Sequence, residues 1–197
     1  MVAKAEQRRR AGPRRSEASK KAILEATRHE LAVSGWRSFS VDSVAKRASA
    51  SKQTIYRWWP SIASLCAESV VSQLPPRAVS ATGPEDRLAE LVQPLVQFAR
   101  EGDHQPALRG AILAAADDEG AREIVRAWLA NEVRGPLRLI LAELTHKGIV
   151  RRDWDPDEAM SAFLGPLWHR IMIANAPISH DFAQRLARNL ISALSPS

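Results

Sequence analysis

The stretch SVDSVAKRASASKQTIYRWWP, residues 40–60, decides the reading of this chain. Ser40 is suited to cap a helix N-terminus, since its hydroxyl can accept from an amide that the first turn leaves without a partner. Behind it Val41, Val44, Ala45 and Ala48 recur at the spacing that gathers side chains on one helical face. The spacing predicts a short helix that ends by Ala48 or Ser49. Ser51 can cap a further helix in which Ile55 and Trp59, four apart, turn inward while Lys52, Gln53, Tyr56 and Arg57 turn outward. Pro60 lacks the amide needed to continue that helix and halts it. Two short helices separated by about three residues form the pattern of a helix-turn-helix.

Upstream, residues 17 to 34 read as a helix capped by Ser16, with Ile23, Ala26, Thr27 and Leu31 on one face and Gly35 as the stop. Residues 1–15, which include Arg8, Arg9, Arg10, Arg14 and Arg15, lack hydrophobic periodicity and read as a disordered basic arm. Such an arm either follows the minor groove and phosphates of DNA or only aids solubility. Downstream, Ser61 can cap a fourth helix that reaches about Gln73 and carries Leu65, Ser69 and Val70 inward. The stretch from Pro75 to Pro84 is rich in helix breakers and reads as a linker. Helices are then expected at 85–100, 106–116, 119–147, 156–175 and 180–194, with bends or breaks at Pro94 and at Gly135-Pro136. The expected fold class is all-α: an N-terminal three-helix helix-turn-helix unit over 16–74, joined by its fourth helix and the 75–84 linker to a helical bundle over 85–197.

Charge is divided as a DNA-binding reading requires. Residues 1–65 hold 14 Lys and Arg against 5 Asp and Glu, and the remainder holds 14 against 17. A basic first third beside a slightly acidic remainder suits a module that neutralises phosphates joined to one that does not. The 45% hydrophobic and 25% charged content is that of a globular protein, and no apolar run approaches a bilayer span. No membrane partner is expected, and the cytoplasm is the expected location. A single cysteine, Cys66, excludes an internal disulfide and a cysteine-based zinc knuckle. His104, His146 and His169 are too scattered for a readable metal site, and no cofactor is implied. The chain lacks a Gly-rich phosphate loop, a Gly-x-Ser-x-Gly elbow and a His-Glu-x-x-His pair, so an enzyme is not expected.

Residues 40–65 resemble the DNA-binding domain of the TetR family, most specifically in Thr54-Ile55-Tyr56-Arg57-Trp58-Trp59, which is similar to that family's recognition-helix signature. Gly35 falls at the family's turn after its first helix. Residues 144–194, with Lys147-Gly148, Gly165-Pro166-Leu167 and a final amphipathic helix, are similar to the C-terminal domain of many members. The resemblance implies nine or ten helices, a dimer built largely from the last two, and a small-molecule pocket in the C-terminal domain. Two positions depart from the pattern: Ser49 stands where a glycine usually makes the inter-helix turn, and Ile62 where a phosphate-binding lysine is usual. Ser49 can still turn if its side chain bonds the local backbone.

The function expected is that of a sequence-specific transcriptional repressor. It would bind double-stranded operator DNA of near-palindromic sequence as a homodimer and be released by an unidentified small-molecule effector. The alternative is a regulator of the same fold governed without a ligand, or by a partner protein; a dry, filled core would favour it. Candidate DNA-binding residues are Ser40, Ser51, Lys52, Gln53, Thr54, Tyr56, Arg57 and Trp58. Lys52 suits guanine O6 or N7 and Gln53 suits adenine. Tyr56 suits a phosphate, and Trp58 either meets the DNA or packs on the fourth helix. Ser40 and Ser51 frame helix N-termini where a phosphate could dock, and Lys46, Arg47 and Arg57 are general backbone candidates. Candidate ligand-binding residues are Phe98, Leu113, Trp128, Leu129, Glu132, Phe163 and Trp168. The last two helices carry the apolar stripes Met160, Phe163, Leu164, Leu167, Ile171 and Met172, and Phe182, Leu186, Leu190 and Leu194; one stripe is expected to be buried within the subunit and the rest against a symmetry mate in a four-helix bundle, the alternative being a purely intramolecular core.

Overall fold

The computed structural model describes residues 13–77, 80–102 and 104–196, and every regular element among them is helical. The order is α1 (Pro13–Ser34), α2 (Val41–Arg47), α3 (Lys52–Trp58), α4 (Ile62–Val71), α5 (Pro84–Glu90), α6 (Gln93–Ala99), α7 (His104–Asp117), α8 (Glu119–Leu129), a π turn (Ala130–Arg134), α9 (Gly135–His146), α10 (Pro156–Met172) and α11 (His180–Leu194). No helix among the described residues is long and apolar enough to cross a membrane.

The serine caps lie where the local sequence places them. Ser40, Ser51 and Ser61 each accept from the amide three residues on, at 3.2, 3.1 and 3.0 Å, so each start is set by chemistry within one turn. Helix α1 begins at Pro13 instead of residue 17, which makes Pro13 to Arg15 helical and puts Ser16 inside the helix rather than at its cap. A proline at the first helical position has its φ preset and no amide to lose there. The rest of the expected arm, residues 1–12, lies outside the described residues. Helix α4 stops at Val71 and α10 at Met172, two and three residues short of expectation.

The two internal prolines act differently. Pro94 separates α5 from α6: Leu91 and Val92 donate to Leu88 and Ala89 in tight turns, and the helix restarts at Gln93. At Pro136 the helix does not break but widens, with the Gly135 amide donating to the Ala130 carbonyl five residues back. A π turn absorbs the hydrogen bond that proline cannot donate without ending the helix. Pro166 likewise sits within an unbroken α10.

Two apolar clusters hold these elements. The smaller joins Ile23, Leu24, Ala26, Val44, Ala45, Ile55, Trp59 and Leu65. The larger runs from α4 to α11 and includes Leu31 of α1 and Ala63, Cys66, Ala67 and Val70 of α4. Helices α1 and α4 therefore belong to both clusters, and the helix-turn-helix is seated on the bundle through them. The contact is close: a Cβ on Gly110 of α7 would fall 2.9 Å from Leu31 Cδ2. Polar links reinforce it, since Trp36 Nε1 donates to Asp117 at 2.8 Å and Ser61 Oγ to Asp118 Oδ1 at 3.2 Å. Asp118 also caps α8 through the Ala121 amide at 2.8 Å, so one carboxylate holds the start of α8 and the start of α4.

Candidate nucleic-acid interface

Helix α3 is anchored by Ile55 and Trp59, 1% and 2% exposed, and these positions leave Lys52, Gln53, Tyr56 and Arg57 on the solvent side. The recognition surface is thus a direct consequence of which two side chains the smaller core takes. Thr54 is half-buried, and its hydroxyl lies 2.9 Å from that of Ser51, so both oxygens serve the cap as well as any ligand. Trp58 is also half-buried: it meets Trp59 edge-on, with ring centroids 5.6 Å apart, and carries the Arg57 guanidinium 5.9 Å from its own centroid. Its packing is against the α3 end and the smaller core, and Arg57 stacked on it is partly prearranged.

The turn between α2 and α3 places Ser49 in the left-handed region, at φ +50°. That conformation explains the usual glycine at this position, because a Cβ there costs about 1–2 kcal/mol. Main-chain bonds hold the turn, from Ser49 to Lys46 and from Ala50 to Ala45; they do what the sequence assigned to the Ser49 side chain. Gly35, at φ +69°, closes α1 by donating to Leu31.

Three polar pairings were not legible in the sequence. Lys52 Nζ donates to Asp42 of α2 at 2.9 Å, and this bond to the carboxylate raises the lysine pKa above its ordinary value. Glu68 of α4 accepts from Trp59 Nε1 at 2.7 Å and pairs with Lys20 of α1 at 2.8 Å, tying three helices around the end of α3. His29 of α1 lies 2.7 Å from Arg47. Each pair joins helices whose facing depends on packing, so spacing along one helix carries no sign of it. Ile62, where the resemblance expects a lysine, is half-buried against the larger core.

The seven candidate ligand-binding residues differ in their surroundings. Phe98 and Phe163 are buried in the packed core, and Phe98 stacks on His104 with ring centroids 4.5 Å apart. Trp128, Leu129, Glu132 and Trp168 are half-buried. Leu113, 37% exposed, lines a cleft on another side of α7 with Trp36, Arg37 and Arg109. A separate groove runs along α9 past Pro136, Leu139 and Trp154. No group of three or more metal-ligating side chains gathers among the described residues.

The apolar stripes of α10 and α11 are taken up largely within the subunit. Phe163, Leu164, Leu167, Ile171, Leu186, Leu190 and Leu194 are all buried within the subunit, while Met160, Met172 and Phe182 are half-buried. The face α10 leaves open is instead Ser161, Ala162, Gly165, Pro166 and His169, with Ile173, 75% exposed, just beyond its end.

Known proteins share both parts of this architecture. Residues 23–68 match the family described as bacterial regulatory proteins, tetR family, and residues 82–190 match the tetracyclin repressor-like C-terminal domain. The chain is 28% identical over 187 residues to the uncharacterized HTH-type transcriptional regulator YdeS of Bacillus subtilis, covering 90% of each. It is 26% identical over 175 residues to the uncharacterized HTH-type regulator Rv1556 of Mycobacterium tuberculosis, covering 86% of this chain and 84% of the relative. Among solved structures, Salmonella enterica GusR aligns with a TM-score of 0.65 at 18% identity, over 93% of this chain and 97% of its own. The TetR family regulator SCO0332 aligns at 0.59 and 22% identity, over 90% and 99%. With a helix-turn-helix whose recognition face is turned to solvent and a family match that spans more than half its length, the chain belongs to the TetR family of transcriptional regulators.

Proposed function

We propose that this regulator is a repressor that binds a near-palindromic operator as a homodimer and leaves it when a small molecule binds the C-terminal bundle. The observation that carries the DNA half is α3 itself: buried Ile55 and Trp59 fix its roll, and Lys52, Gln53, Tyr56 and Arg57 share the exposed side. A helix so presented enters the major groove with its N-terminal side chains on base edges. Lys52 and Gln53 then read bases, Tyr56 and Arg57 bind phosphate, and Ser40, Ser51 and Thr54 present the helix starts. Trp58 supports Arg57 from below. A protein held on its operator blocks transcription, which makes repression the outcome.

The open face of α10 supports the dimer. Gly165 has nothing within 4 Å of where a Cβ would stand, and Ala162 and Pro166 flank it, so a second α10 can approach closely. Two recognition helices related by a two-fold axis ask for an inverted repeat. In this reading 16–74 grips DNA, 85–197 dimerises and senses, 75–84 connects them, and the protein works in the cytoplasm beside the chromosome. The burial of Phe98 and Phe163 in the larger core favours a second reading, in which the bundle only dimerises or answers to a partner protein.

The test is an electrophoretic mobility shift of the full chain on its own upstream DNA at fixed salt, beside Lys52→Ala and Tyr56→Ala. Salt-sensitive binding to one near-palindromic site, weakened about tenfold or more by each substitution, is the expected result. Equal weak binding to all DNA, unchanged in both variants, rejects it.

A further inference from the structure

The cleft between the end of α1 and α7 carries a site that the recognition surface does not use. It has a volume of about 530 Å3 and is lined chiefly by Leu31, Trp36, Arg37, Arg109, Leu113 and Asn175. That volume suits a small organic ligand, since such sites occupy roughly 300–1,000 Å3. Its ionisable lining is of one sign: Arg37 and Arg109, with no carboxylate. Neither guanidinium has an ion-pair partner among the described residues, so both are available to an anion in the cleft. Asp117 of α7 is not part of the lining, and its carboxylate accepts from Trp36 Nε1 at 2.8 Å. Trp36 and Leu113 give the apolar wall, and Asn175, at φ +46°, holds an uncommon backbone conformation in the lining.

We propose that this cleft binds a small carboxylate with a flat apolar body, and that its occupant alters the grip on DNA. Two guanidiniums prefer planar oxyanions, which they can meet with paired bonds. The apolar wall accepts the remainder of such a molecule. The link to DNA is short: Trp36 and Arg37 lie in the turn that leads to Ser40, the cap of α2, and Glu30 of α1 accepts from the Ser40 amide at 3.3 Å. Trp36 also latches that turn to α7 through Asp117. A ligand seated between α1 and α7 therefore bears on the seat of the helix-turn-helix, and it shifts DNA affinity only by as much as it prefers one seating to the other. This effect on DNA rests on the repressor reading; the binding itself does not.

Titration calorimetry of the full chain with 2-naphthoate and with neutral 2-naphthamide tests the site. Naphthoate is expected to bind at least about tenfold more tightly than the amide, and Arg109→Ala and Arg37→Gln each to remove about tenfold of that affinity. Arg37 is exposed, so Arg37→Gln keeps the test readable should Arg109→Ala disturb folding. Naphthoate is also expected to weaken the operator complex of the wild type and to leave that of Arg109→Ala unchanged. No naphthoate binding, binding no tighter than the amide, or affinity indifferent to both arginines overturns the site. If naphthoate follows the expected pattern while no operator is bound, the site stands and the repressor reading falls.

Discussion

Replacing Trp59 by phenylalanine isolates the bond that fixes the end of the recognition helix. The indole is 2% exposed and its Nε1 donates to Glu68 Oε2 at 2.7 Å. A bond to a charged acceptor contributes about 1.5–3 kcal/mol, and the 29% exposure of the Glu68 side chain reduces this to about 1–2 kcal/mol by solvent screening. The smaller ring adds about 1–2 kcal/mol of unfilled volume, so Trp59→Phe should cost about 2–4 kcal/mol in total. Urea unfolding followed by far-UV circular dichroism, at one protein concentration, measures it. The Glu68 bond is separated from the packing loss by a double-mutant cycle with Glu68→Ala. Coupling of about 1 kcal/mol or more is expected, because the two groups are in contact. If the two substitutions add to within about 0.5 kcal/mol, Glu68 does not hold Trp59 and the account of how α3 is positioned is wrong.

Asp42→Asn should free the charge of Lys52, now paired at 2.9 Å; DNA binding is expected to tighten, and the slope of log K against log salt to steepen by about one, measured by fluorescence anisotropy. Hydrogen bonds from Lys147 and then Arg87 hold the Glu143 carboxyl down at about 2, below its usual 4.5. Because the folded value is the lower one, this stabilisation is full above the usual value and lost as pH falls through the folded one. The melting-temperature gap between wild type and Glu143→Gln should therefore be present near neutrality and close between pH 4.5 and about 2; a gap that does not change with pH would contradict the assignment.

What the sequence determined by itself is whatever one or two turns of chain can settle. The caps at Ser40, Ser51 and Ser61 and the stops at Gly35 and Pro60 are bonds and steric limits between near neighbours, so the helix-turn-helix was legible down to the residues that face solvent. The all-helical class and the span His180–Leu194 followed from a period of 3.6 that no nearby breaker interrupts. Tertiary structure alone decided what lies against each face. The stripes on α10 and α11 were expected to be divided between the subunit's core and a partner, and only packing decided that the subunit's own core takes most of both. Phe98 and Phe163 were marked as inward, and the structure buries both in the larger core. Asp42 beside Lys52, Glu68 beneath Trp59, and Arg37 beside Arg109 on one cleft join residues from different helices. Pro94 and Pro136 show the same division: each removes one hydrogen bond, but whether the helix breaks or widens depends on the contacts its surroundings offer. Periodicity names a face; only packing names its neighbour.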